Sequence, residues 1–375
     1  MIYVALSISI IYIILIISLI KGFDKIAVFE NKNSSPKSTF SIAIPFRNEV
    51  DNLPDLLNSL ARIDYPKELF EIMLVNDASQ DHFQPLISQF TIQNPEINLT
   101  LIDNKRSTKS PKKDAITTAI NHAKFDWIVT TDADCTVPVN WLLLFNQFIE
   151  EEKVLFISAP VKFKEEKSLL YHLQNLHFIS LIGSTIGGFG LRKPFLCNGA
   201  NLCYHKETFL ELNGFEGNTS IASGDDVFFL EKMQQSYPHK TGFLKTFDGL
   251  VETKAITSWK QFLNQQIRWA SKSTAYRNRF SMFVGLTVFS MNLMLVVLGV
   301  FVIIFPLFWN FFLWSLALKS IVDLILIFKT SYFLNITNSL KYFLGICVIY
   351  PFFIVLIGLL SLVKSYTWKG RIFKK

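Results

Sequence analysis

The chain has only four cysteines, Cys135, Cys197, Cys203 and Cys347, and no C-x-x-C spacing among them. That argues against a zinc ribbon or a disulfide-stapled scaffold, and a reduced setting suffices. Its six histidines show no metal-ligand spacing. There is no G-x-x-x-x-G-K-[ST] loop and no G-x-G-x-x-G turn, so a bound diphosphate would have to be held by metal and basic side chains. Acidic residues are in deficit, 30 against 37 basic ones, for a formal charge of +7. The basic excess gathers beside apolar runs, which fits anionic lipid better than nucleic acid.

Half of the residues are hydrophobic, 36 of them phenylalanine, and the mean hydropathy is +0.32. This is too apolar for an ordinary soluble protein of 375 residues. Residues 2–20 carry no charge and are long enough as a helix to cross a ~30 Å hydrocarbon core. No basic stretch precedes this run and no A-x-A follows it, so it reads as an uncleaved anchor (residues 1–22) rather than a signal peptide. Lys21 and Lys25 after it predict an outside N-terminus and a cytoplasmic domain over residues 26–255. Residues 256–280 read as an interfacial segment in which Trp259, Phe262, Leu263 and Ala270 recur at helical spacing.

A C-terminal bundle is expected over residues 281–365, with apolar runs at 281–305, 307–328 and 342–363. Lys272, Arg277 and Arg279 before it predict a cytoplasmic entry. Three passes here would leave a tail (366–375) outside, although "KSYTWKGRIFKK" has five basic residues and no acid. Lys319 and Asp323 can pair as i,i+4 neighbours inside the middle run, which is then re-entrant or interfacial, leaving two true passes and a cytoplasmic tail, or else a true pass. The count stays open at three or four passes.

In the globular part, short β-rich runs at 40–45, 70–77, 98–103, 126–132 and 154–160 alternate with helix-like segments, among them one that puts Leu53, Leu56, Leu57 and Leu60 on one face. That order predicts an α/β fold with a doubly wound, mostly parallel sheet flanked by transmembrane helices. Ligands bind beyond the carboxyl ends of such strands, where Asp77, Asp103, Asp132 and Asp134 fall. Two aspartates one residue apart can share a hard cation, Mg²⁺ or Mn²⁺, whose shell is commonly completed by substrate phosphate.

"SIAIPFRNEVDNLPDLLNSL", "IMLVNDASQDHF", "TTDADC", "GANLCYHKETFLELNGF", "SGDDVFFLEKM" and "QQIRW" occur in the order, and at roughly the spacing, of membrane-bound family 2 glycosyltransferases, which this chain resembles over residues 38–275. That family includes cellulose, chitin, hyaluronan and poly-N-acetylglucosamine synthases and ceramide glucosyltransferases. The resemblance implies a GT-A fold and an inverting hexosyltransferase that uses a nucleotide-sugar donor, with UDP-sugars the commonest, and a lipid-linked or saccharide acceptor. It implies Asp77 and Asp132 as donor-nucleotide contacts, Asp134 as the metal ligand, Asp226 as general base and Asp225 as its support. Gln265, Arg268 and Trp269 match the signature near the diphosphate and acceptor path. Lys112 and Lys113 stand where relatives carry a glycine-lysine pair; Lys113 is taken as the donor contact, with a solvated helix start as the alternative. Trp269 reads as a sugar platform or an interfacial anchor, and Asn198 with Gly199 as an acceptor-side turn or a plain one.

Such chemistry needs these residue types in any case. Displacement at an anomeric carbon requires a base for the acceptor hydroxyl, and Arg268 could offer a fork to the departing phosphate. The expected location is the inner face of the cell membrane, with no nucleic-acid partner. A processive polysaccharide synthase and a noncatalytic membrane subunit are the alternatives.

Overall fold

The computed structural model describes residues 2–32, 34–219 and 221–373. The chain divides into two units, one of residues 27–164 and 197–254, the other of residues 1–26, 165–196 and 255–375.

The first unit contains β1 (Phe40–Phe46), α2 (Leu53–Ala61), β2 (Phe70–Asn76), α3 (Gln84–Gln93), β3 (Leu99–Asp103), α4 (Pro111–His122), β4 (Trp127–Thr130), β5 (Cys135–Thr136), α5 (Trp141–Glu152), β6 (Phe156–Ser158) and β7 (Val161–Phe163). After an excursion into the other unit it resumes with β8 (Leu202–His205), α7 (Lys206–Glu211), α8 (Asp225–Ser236), β9 (Thr241–Phe243) and β10 (Val251–Thr253). Seven strands form one sheet in the order β3-β2-β1-β4-β8-β6-β9, and β5-β10-β7 form a small second sheet. The pairs β3–β2, β2–β1, β1–β4 and β6–β9 are parallel, whereas β8 runs antiparallel to both β4 and β6. The sheet is therefore mixed.

β1 and β2 are buried along almost their whole length, with α4 packed against both, and strands buried on both faces read as continuous apolar runs rather than alternating ones. Pro45 is tolerated in this central strand because the pairing of β1 with β4 ends at Ala43↔Thr130, before the residue that lacks an N–H.

The second unit contains α1 (Ile2–Lys25), α6 (Leu169–Gly190), α9 (Trp259–Ser271), α10 (Arg279–Ile304), α11 (Trp309–Phe333), α12 (Phe343–Val363) and a hairpin of β11 (Tyr366–Trp368) and β12 (Arg371–Phe373). Four of its helices, α1, α10, α11 and α12, are long and apolar enough to cross a membrane. Large side chains such as Leu286, Ile303, Trp314 and Val363 remain exposed on them, as suits contact with lipid. The middle run is one continuous helix. Lys319 Nζ lies 2.6 Å from Asp323 Oδ2, whose Oδ1 accepts a 2.6 Å bond from Tyr12 Oη on α1. The charge pair is thus satisfied inside the bundle.

α6 is a long helix that sequence reading missed. His172, Gln174, Asn175 and His177 interrupt its apolar pattern, yet all are buried. His172 and Asn175 meet Ser339 Oγ at 3.0 and 2.8 Å, Gln174 donates to Ile256 O at 2.7 Å, and His177 meets Tyr350 Oη at 2.8 Å. Its glycines let α1 come close: a Cβ at Gly187 would collide with Leu19 O, and one at Gly190 with Gly22 O. Backbones approach in this way when small residues line the seam.

The hairpin turns on Lys369 and Gly370, both at positive φ (50° and 76°), the two-residue turn whose twist matches paired strands. It packs on α9 and α12, with Tyr366 buried against Ile267 and Ile357.

Candidate active site

Past β4, Thr131, Ala133 and Cys135 are buried while Asp132, Asp134 and Thr136 are partly exposed. The chain turns here, Cys135 N donating to Asp132 O at 3.1 Å, and the turn leaves both carboxylates partly exposed while Ala133 between them is buried. Asp132 Oδ1 lies 2.6 Å from Lys112 Nζ, and Asp225 Oδ2 lies 3.3 Å from the same ammonium. Asp226 follows at the start of α8, its Oδ2 accepting from Gly199 N at 3.3 Å and its Oδ1 from Val227 N at 2.7 Å. Burial presses the Lys112 ammonium down, but Asp132 and Asp225, with a smaller push from Asp226, outweigh it and hold its pKa well above the ordinary value.

Glycine is required at two points of this cluster. Gly224 caps α8 at φ 83°, which presents Asp225 and Asp226 in the first turn, where the helix dipole favours negative charge. A Cβ on Gly199 would sit 3.0 Å from Asp225 Oδ2 and 3.4 Å from Lys112 Nζ. The Gly199 loop is fixed by Thr130 Oγ1, which donates to Gly199 O at 2.8 Å, and by Asn201, which donates to Pro160 O at 2.8 Å and accepts from Trp141 Nε1 at 2.9 Å.

Lys113 is placed elsewhere. It is 1% exposed, donates to Asn218 O and Ile221 O at 2.7 and 3.0 Å, and lies 4.7 Å from the centre of the Phe228 ring. The lysine on the carboxylates is its neighbour, Lys112. Adjacent helical residues differ by about 100° in direction, and Lys113 falls on the buried stripe of Ile116 and Ile120. That phase was present in the sequence and would have separated the two lysines.

Asp77, at the end of β2, is buried; its Oδ1 accepts from Asn104 Nδ2 at 2.8 Å and lies 3.5 Å from Arg106 Nη1. Arg106 Nε is 3.4 Å from Asp114 Oδ2, and Asp114 also takes bonds from Ser107 and Thr108. The 104–110 loop is thereby tied to Asp77. Asn104 and Arg106 are polar neighbours of that residue which no sequence motif singled out.

Asp132 and Asp134 offer one or two carboxylates, which suits Mg²⁺ or Mn²⁺ when substrate phosphate fills the remaining positions. Among the described residues no three His, Cys, Asp or Glu side chains converge as a ready-made cage. The donor set therefore fits a cation shared with a phosphorylated ligand better than a structural metal.

In the other unit, α9 carries Gln265, Arg268 and Trp269. Trp269 packs on Phe178 of α6, with ring centres 6.4 Å apart. Phe262 stacks on Phe353 of α12 at 5.4 Å. The guanidinium carbon of Arg268 lies 5.4 Å from the centre of the Trp368 ring in the hairpin.

This mixed sheet, with carboxylates beyond its parallel strands, is a GT-A-type fold. A solved structure with the same fold is the mannosyltransferase PcManGT from Pyrobaculum calidifontis in complex with GDP-Man and Mn²⁺, at TM-score 0.54 and 14% identity, covering 95% of this chain and 99% of that one. The chain belongs to glycosyl transferase family group 2, whose profile matches residues 127–368; that of glycosyl transferase family 2 matches residues 41–210. Among curated proteins, it is 27% identical over 137 residues to a poly-beta-1,6-N-acetyl-D-glucosamine synthase of Staphylococcus aureus (strain MSSA476), covering 36% of this chain and 32% of that protein. It is 26% identical over 102 residues to the glycosyltransferase AglE of Haloferax volcanii, covering 27% of this chain and 32% of that protein. The matches thus span about a third of the length of these relatives.

Proposed function

We propose that this protein is an inverting hexosyltransferase that moves one or a few sugars from a UDP-sugar to a lipid-linked or saccharide acceptor at the inner face of the cell membrane. The observation that carries the reading is the grouping of Asp132, Asp225 and Asp226 around Lys112 in a chain of this family. Asp226, partly exposed at the first turn of α8, takes the acceptor hydroxyl proton as general base, and buried Asp225 fixes the turn. Asp77 and Asp132 hold the nucleotide side of the donor, with Lys112 in the role first given to Lys113. Asp134 would hold Mg²⁺ or Mn²⁺, and the ion would supply charge neutralisation for the departing diphosphate. Gln265, Arg268 and Trp269 act toward the diphosphate and acceptor.

The experiment offers the purified full chain UDP-glucose, UDP-GlcNAc and GDP-mannose with membrane lipids and reads products by mass spectrometry. Asp226→Asn should keep donor affinity and lose transfer by ~10² to 10⁴. Near-normal turnover in that variant would remove Asp226 from the mechanism. The match to a poly-beta-1,6-N-acetyl-D-glucosamine synthase favours processive synthesis as a second reading, and long homopolymer made without a lipid acceptor would select it.

A further inference from the structure

Carboxylates gathered to receive a divalent ion repel one another unless something balances them. Here a side chain of the same unit does so. Lys112 Nζ lies 2.6 Å from Asp132 Oδ1 and 3.3 Å from Asp225 Oδ2. Burial disfavours the ammonium, yet Asp132 and Asp225 outweigh it, so Lys112 does not yield its place by losing a proton near neutral pH. A divalent ion taken up at about 2.1 Å by the same Asp132 oxygen would stand within about 5 Å of that ammonium. At this range two cations in a partly buried cluster oppose each other. The conflict is relieved when an anion offers Lys112 a second partner, which its flexible stem and three rotatable donors can reach. A diphosphate does so, and its oxygens also complete the shell of the ion.

We propose that Lys112 is a resident counter-ion that competes with the divalent ion for Asp132, so that ion and donor diphosphate bind cooperatively. The proposal rests on the reading given above of Asp132 and Asp134 as the carboxylates that face donor and ion. By linkage, the factor by which UDP tightens the ion is the factor by which the ion tightens UDP. Lys112 is the residue that sets this factor.

The test measures Mn²⁺ binding to the purified full chain, with and without saturating UDP, by calorimetry and by the electron paramagnetic resonance signal of unbound Mn²⁺. UDP should tighten Mn²⁺ on the parent by a factor within about 5 to 150, the ordinary range of coupling between sites. Lys112→Met should bind Mn²⁺ without UDP about tenfold more tightly than the parent and lose most of the coupling. Lys112→Gln repeats the measurement with a second neutral side chain should Lys112→Met fold poorly, and Lys112→Arg, which keeps the charge, should stay near the parent. A lysine that only bound phosphate would leave the affinity for Mn²⁺ without UDP unchanged, so an unchanged or weaker affinity in the neutral variants overturns the proposal. So does a parent in which UDP and Mn²⁺ bind independently. If no variant and no parent binds Mn²⁺ even with UDP, or if Asp134→Asn binds it as the parent does, the reading of the ion site fails, and the proposal fails with it.

Discussion

Replacing Lys112 with methionine keeps the length of the side chain and removes one positive charge from between carboxylates. The Lys112 side chain is 15% exposed and its ammonium lies 2.6 Å from Asp132 and 3.3 Å from Asp225, whose side chains are 37% and 9% exposed. A unit pair at 4 Å is worth about 4 kcal/mol at an effective dielectric near 20, and breaking a buried pair costs about 3–5 kcal/mol. Solvent at Asp132 screens its share, so Lys112→Met should lose about 2–4 kcal/mol. Because the ammonium is held above its ordinary value of 10.5, the parent's contribution is complete at neutral pH and is lost only in strong alkali. In the variant the carboxylates are left without a counter-charge, so millimolar Mn²⁺ should recover more stability there than in the parent. Urea unfolding of the detergent-solubilised chain, followed by circular dichroism from neutral pH into strong alkali, reads the loss, its pH dependence and the Mn²⁺ response. A variant within about 0.5 kcal/mol of the parent, with the same pH profile, would refute the claim that Lys112 holds the cluster together.

Lys113→Met should behave in the opposite way, losing about 1–3 kcal/mol by stranding the carbonyls of Asn218 and Ile221 while UDP affinity per folded molecule stays at the parent value in calorimetry. Asp134→Asn should leave the unfolding midpoint nearly unchanged and abolish the response of turnover to Mn²⁺ and Mg²⁺; full activity in excess chelator would dismiss the metal role. Gly190→Ala drives a methyl group into Gly22 O and should cost about 1–3 kcal/mol in thermal unfolding, with Gly345→Ala, which meets nothing within 4 Å, as the neutral control. Cysteines at Lys260 on α9 and at Lys364 before the hairpin should react with a membrane-impermeant maleimide from the same side of sealed vesicles, because the hairpin packs on α9; labelling from opposite sides would contradict that packing.

The sequence by itself determined the α/β class, because β1, β2 and β4 are apolar runs that end in polar or acidic residues and local pattern suffices to see them. It also determined which carboxylates to watch, since Asp132, Asp134, Asp225 and Asp226 stand in ordered motifs. Four apolar helices were legible for the same reason: a long run without charge has few other stable placements. It did not reveal β8, which is four residues long and enters the sheet antiparallel between β4 and β6. Nor did it reveal α6, whose histidines and amides look solvated until Ser339, Ile256 and Tyr350 are seen to satisfy them. Those partners lie more than 80 residues away, and no local window contains them. Tertiary structure supplied the carboxylates that Lys112 meets and the carbonyls that Lys113 meets, although the phase of α4 already separated the two lysines. It alone brought Trp368 to Arg268 across three intervening helices, because such contacts depend on how elements pack and not on the spacing of residues along the chain.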